Sequence, residues 1–124
     1  MNPRSILIVD DEASLRELLG QLLANAGYQV TEAEDGRKAG ALLKEQAFDL
    51  VITDIIMPER DGLEFLAEIH RKHPGLRVIA MTGGGHIPRE QYVKLAKSLG
   101  AHTVLEKPFG NDKLLAAVAA ALEG

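Results

Sequence analysis

The chain contains no cysteine. Disulfides, thiolate metal sites and thiol chemistry are therefore excluded outright. It has no excess of basic residues: 14 Lys and Arg against 18 Asp and Glu give a net charge of −4, which argues against general nucleic-acid binding. It has no apolar run long enough to cross a bilayer, so no membrane insertion is expected. The start, Met1-Asn2-Pro3-Arg4, carries no apolar signal-peptide segment, and cytoplasmic residence is the default expectation. There is no low-complexity tract, no linker, and no internal repeat beyond a simple alternation of strand and helix patterns.

What is present is a soluble globular composition, 46% apolar and 26% charged, over 124 residues. That length reads as one domain, residues 1–124, able to bury a genuine core. Ile6–Val9 is a short apolar strand, followed by a stripe at Leu15, Leu18, Leu19, Leu22, Leu23 and Ala26 with helical spacing. Gly27 stops that helix. Tyr28–Ala33 alternates as an edge strand does, and Asp35-Gly36 turns into a helix with Ala39, Leu42 and Leu43 inward. Leu50–Thr53 is a third strand, Gly62 to about His70 a third helix, and His73-Pro74-Gly75 a break. Arg77–Met81 leads through Gly83-Gly84-Gly85 to a helix with Tyr92, Leu95, Ala96 and Leu99 read as core; Gly100 ends it. Thr103–Leu105 and a last helix striped by Leu114, Leu115, Val118 and Leu122 complete the pattern. Five β-α units with short connections predict a doubly wound parallel sheet with helices on both faces.

In such folds ligands bind at the carboxyl ends of the strands. The apolar strands end there in Asp10-Asp11, in Asp54, in Thr82 and, just beyond the last strand, in Lys107. Adjacent buried carboxylates are tolerable only if a cation offsets them or a function requires them. An all-oxygen set without Cys or His suits a hard dication such as Mg2+ and not zinc. Lys107 and Thr82 add an ammonium and a hydroxyl suited to a phosphoryl group, and a carboxylate can attack phosphorus to form an aspartyl-phosphate.

These residues carry a resemblance. Ile6-Leu7-Ile8-Val9-Asp10-Asp11-Glu12, Asp54-Ile55-Ile56-Met57-Pro58, Asp61-Gly62, Met81-Thr82 and Lys107-Pro108-Phe109, in that order, resemble the receiver domain of two-component response regulators, the CheY-like family. That fold is itself one of the examples from which the strand-end rule was drawn. The resemblance implies a flavodoxin-like, five-stranded sheet of order 2-1-3-4-5. It implies Asp54 as phosphoacceptor and Asp11, Asp54 and the backbone carbonyl of Ile56 as direct Mg2+ ligands, with Asp10 acting mainly through a metal-bound water. It further implies Lys107 as the phosphoryl-binding cation, a cis peptide bond to Pro108, and Thr82 as the hydroxyl that moves to the phosphoryl oxygen. The implied partners are a sensor histidine kinase or phosphotransfer protein and a downstream protein target at the helix 4-strand 5-helix 5 face, with no direct nucleic acid. The expected activity is that of a switch and not an enzyme, beyond self-phosphorylation and self-dephosphorylation. No output domain follows in the sequence, so output by protein contact is expected, unless the chain is a receiver excised from a longer protein.

Two departures stand out. Val104 occupies a position where the family usually has an aromatic ring that swings inward on activation, and the Gly83-Gly84-Gly85 loop looks long. Ile56 and Gly84, which would flank an attacking water, point in opposite directions for phosphoryl lifetime. Taken singly, each site residue has a plain structural explanation: Asp10-Asp11 as a helix N-terminus, Asp54 as a cap, Lys107 as a solvated cation, Thr82 as a strand-end hydroxyl. Their joint position outweighs those explanations. Asp61 reads as a turn, and His70, His73, His86 and His102 as surface histidines. Arg89, Glu90, Lys94 and Lys97 read as a solvated face. The alternatives are a phosphorylation-independent module of the same fold, an aspartate-nucleophile phosphatase, disfavoured by adjacent rather than alternate aspartates, and a flavodoxin-like cofactor carrier, disfavoured by the missing phosphate cradle.

Overall fold

A computed structural model of the chain describes residues 3–55, 62–83 and 89–123. Strand and helix alternate throughout: β1 (Ser5–Val9), α1 (Ala13–Asn25), β2 (Gln29–Ala33), α2 (Gly36–Glu45), β3 (Leu50–Asp54), α3 (Gly62–Lys72), β4 (Arg77–Thr82), α4 (Arg89–Ser98), β5 (Thr103–Glu106) and α5 (Asn111–Glu123). All strand pairings are parallel and the sheet order is β2-β1-β3-β4-β5, as the resemblance implies.

Strand side chains alternate between faces, and the core divides accordingly. Ile6, Ile8, Leu50, Ile52, Ile79, Met81 and Leu105 pack with Leu19 and Leu23 of α1 and Leu114 and Val118 of α5. Leu7, Val9, Val51, Val78 and Ala80 pack on the other face with α2 and α3, through Ala39, Leu43, Phe65, Leu66 and Ile69. Strands β1 and β3 are apolar on both faces because helices cover both, which is why they read as unbroken runs. The edge strand β2 is half-exposed. Asp35 caps α2, accepting a hydrogen bond from the Lys38 N–H at 2.9 Å. Gly27 and Gly100 take positive φ where α1 and α4 end.

Two side chains expected inside lie outside. Leu18 is 58% exposed and Leu95 44%. Each immediately precedes a buried neighbour, Leu19 or Ala96, about 100° around the helix, and the sheet covers only the nearer side. Ala26 is exposed as well, because α1 has already ended at Asn25. Of the other histidines, His70 and His102 are exposed and His73 is half-buried, whereas His86 and the side chain of Tyr92 lie outside what is described.

Candidate functional site

The strand register brings the polar tips together. Val9 pairs with Thr53 and Asp54 with Met81, so Asp10 and Asp54 end adjacent strands at one rim. Asp10 shares the alternation of Ile6 and Ile8, Asp54 that of Leu50 and Ile52, and Lys107 that of Leu105. All three side chains therefore issue from the face of the sheet packed by α1 and α5, at its carboxyl edge.

Asp10 is fully buried and Asp54 is 6% exposed. The Lys107 Nζ donates to Asp54 Oδ2 at 2.9 Å and to Asp10 Oδ2 at 3.1 Å. The other Asp10 oxygen, Oδ1, accepts from the Glu12 N–H at 2.9 Å. Asp11 is exposed at the mouth, and oxygens of Asp10, Asp11 and Asp54 lie within 4.8 Å of one another. Burial pulls the Lys107 ammonium toward neutrality. The hydrogen bond and charge of Asp54, then those of Asp10, outweigh it and hold the group above its ordinary 10.5. It is a cation at any physiological pH.

Three carboxylates against one ammonium leave the cluster with a net negative charge. Clustered oxygens of this kind fit a hard dication such as Mg2+. Thr82 ends β4 at the same rim, 4% exposed, and its carbonyl accepts from the Lys107 N–H at 2.7 Å. The peptide bond from Lys107 to Pro108 is cis. Ile56, expected to offer a backbone carbonyl, lies outside the described residues, as do Met57, Pro58, Asp61, Gly84 and Gly85.

Three contributors escape the linear sequence. Gly83 adjoins the stem of Lys107 so closely that a Cβ there would lie 2.8 Å from Lys107 Cβ. Its small size thus has a role besides loop freedom. Arg16 and Glu32 pair at 3.1 Å, and Arg16 Nη1 donates to the Asp10 carbonyl at 2.8 Å. An arginine beside the apolar stripe of α1 is the only trace these leave in the sequence. A separate cavity of about 520 Å³, lined by residues 43–48 and 73–76, lies at the amino ends of β3 and β4, away from the acids.

An open parallel α/β sheet with clustered acids and a lysine at its carboxyl rim, at a switch point between strands, is an arrangement that could hold a cation or a phosphate. The family model for the response regulator receiver domain matches residues 6–119, and the chain belongs to that family of phosphorylation-signalling switches. It is 40% identical over 121 residues to the transcriptional regulatory protein GlrR of Escherichia coli (strain K12), covering 98% of this chain and 27% of that protein. The chain thus spans about a quarter of the length of that relative. It is 39% identical over 119 residues to the probable chemotaxis protein CheY of Rhizobium etli, covering 93% of this chain and 89% of that one. A crystal structure of a response regulator receiver domain protein from Clostridium thermocellum superposes with a TM-score of 0.89 at 31% identity, covering 97% of this chain and 94% of that one. Among the described residues, no helix is long and apolar enough to cross a membrane.

Proposed function

We propose that Asp54 accepts a phosphoryl group from the phosphohistidine of a sensor histidine kinase or phosphotransfer protein, in a Mg2+-dependent reaction. The observation that carries this reading is the Asp54 carboxylate held 2.9 Å from the Lys107 ammonium inside the acid cluster. In the transfer, an Asp54 carboxylate oxygen attacks phosphorus as the bond from phosphorus to the donor imidazole nitrogen breaks. The electron pair stays on that nitrogen, and an acyl phosphate forms on Asp54. Lys107, cationic throughout, offers its ammonium to the phosphoryl oxygens in place of the carboxylates it holds at rest. Thr82 offers its hydroxyl from the end of β4. Asp10, Asp11 and Asp54, with the Ile56 carbonyl, would hold Mg2+, which when bound supplies charge neutralisation for the phosphoryl oxygens.

The output in this reading is a shift of the face formed by α4, β5 and α5 toward a form that binds a downstream protein, a local charge event biasing a two-state element. Val104, half-buried against the core on that face of the sheet, has no ring to swing. The coupling then runs from Thr82 and Lys107 through the backbone hydrogen bond that joins β4 to the end of β5.

Replacing Asp54 with Asn is expected to abolish Mg2+-dependent labelling by a small acyl phosphate, read as a hydroxylamine-labile adduct by intact mass. Labelling that persists at another residue defeats the assignment. Mg2+ binding by the unaltered protein without any adduct would instead favour a phosphorylation-independent interaction module.

A further inference from the structure

Asp10 is anchored directly, but Asp11 is not fixed by its burial: it is exposed, on the loop between β1 and α1. It is joined to the buried Asp10 by a single peptide unit. A peptide unit is planar, so the direction of the Asp10 carbonyl determines the plane from which the Asp11 backbone departs. That carbonyl accepts a hydrogen bond from Arg16 Nη1 at 2.8 Å.

Arg16 sits in the first turn of α1, where side chains lean toward the helix N-terminus, so its guanidinium reaches back over the preceding loop. The side chain is only 17% exposed. Its Nε is held by Glu32 Oε1 at 3.1 Å. Glu32 comes from β2, where it pairs in register with Ile8 of β1, two residues before Asp10. One turn along α1, Gly20 leaves room for that carboxylate: a Cβ there would lie 3.2 Å from Glu32 Oε2. A planar fork that spans a strand carboxylate and a loop carbonyl at once is a task for arginine and not for a point-like ammonium.

We infer that Arg16, clamped by Glu32, is a positioning residue that sets the Asp10-Asp11 peptide and thereby aims both acids at one cation. The inference deepens the proposed phosphoreceiver function and rests on it for its biological purpose, though its test reads Mg2+ alone. It makes a prediction of opposite sign to simple electrostatics. Arg16 is a positive charge close to the acids, so if charge alone mattered, removing it would tighten Mg2+ binding. If positioning matters, removing it weakens binding, by roughly 10- to 100-fold as for other groups that orient metal ligands.

The test is a calorimetric titration of the full chain with Mg2+, followed by labelling with a small acyl phosphate. Arg16→Met keeps the apolar stem and is expected to weaken Mg2+ by about tenfold or more. Arg16→Lys is expected to fall between that variant and the unaltered protein, and Lys38→Ala, on the exposed surface of α2, to change nothing. Excess Mg2+ is expected to restore most of the labelling of Arg16→Met. Unchanged or tighter Mg2+ binding by folded Arg16→Met overturns the inference. Should Arg16→Met fail to fold, Glu32→Ala and Glu32→Gln decide: both remove the charge, but only Gln keeps an acceptor for the guanidinium. Weaker Mg2+ binding by the Ala variant than by the Gln variant supports the clamp, and equal binding overturns it. If the unaltered protein binds Mg2+ but takes no phosphoryl group, the receiver reading fails while the titration still judges Arg16. If it binds no Mg2+, both fail.

Discussion

Asp10 has each of its polar atoms engaged: its N–H with Ala33, its carbonyl with Arg16, one carboxylate oxygen with Glu12 and the other with Lys107. A fully buried carboxylate survives in this way because its hydration is replaced by fixed donors. Lys107 is the donor that Asp10 shares with Asp54, so its loss exposes two acids to each other. Lys107→Met is expected to destabilise the fold by about 2–4 kcal/mol near neutral pH, somewhat below the cost of breaking a wholly buried pair because the ammonium is partly solvated. Because Lys107 is held above its ordinary 10.5, its contribution is complete below that pH and lost as the pH climbs through its raised value. Urea denaturation should therefore find a constant gap between the two proteins from about pH 7 to 9, narrowing only above about pH 10.5. A gap that narrows near neutrality would show that the ammonium is not the group responsible.

At the level of elements, the two glycines with positive φ behave differently from those inside helices. Gly100, at φ +106, ends α4 and lets β5 begin beside β4, and a Cβ there would lie 2.6 Å from His70 Nδ1 on α3. Gly100→Ala combines backbone strain with that clash and is expected to cost about 1–3 kcal/mol. Gly40 lies in mid-α2 with open space around it, and Gly40→Ala is expected to add about 0.5–1 kcal/mol of stability. Thermal unfolding of the two variants should move in opposite directions, and a loss for Gly40→Ala would point to an unseen contact between α2 and its neighbours. Helix exposure was less legible than helix position. Periodicity locates α1 and α4, but the apolar stripe it marks is wider than the buried face, since Leu18 and Leu95 face solvent. How much of a helix's apolar face the sheet covers depends on where the helix rests, which no local pattern records.

Over the whole molecule, the acid rim is a concentration of like charge. Mg2+ is expected to stabilise the protein by about 2–3 kcal/mol at a hundredfold excess over its Kd, seen as a rise in Tm. Asp11→Asn and Asp54→Asn should each remove most of that rise, because each takes a charged oxygen out of the cluster of three acids. A full Mg2+ response in either variant would place the cation elsewhere.

Much of this architecture was legible in the order of residues alone. The alternation of apolar periods of two and 3.6 marks five β-α units, and the parallel sheet and its strand-end site follow from connections too short for other routes. Asp10, Asp54, Thr82 and Lys107 were visible because each lies at the end of its strand or one residue past it, and strand ends in such a sheet meet at one edge. Tertiary structure alone decided the rest: that Glu32 of β2 reaches Arg16 of α1, that Gly83 makes room for the Lys107 stem, and that Leu18 and Leu95 stay outside. The difference is physical. Periodicity and turn chemistry act between neighbours in the chain, whereas the clamp behind the acids depends on strand register and on how a helix seats against a sheet, which arise only when distant segments pack.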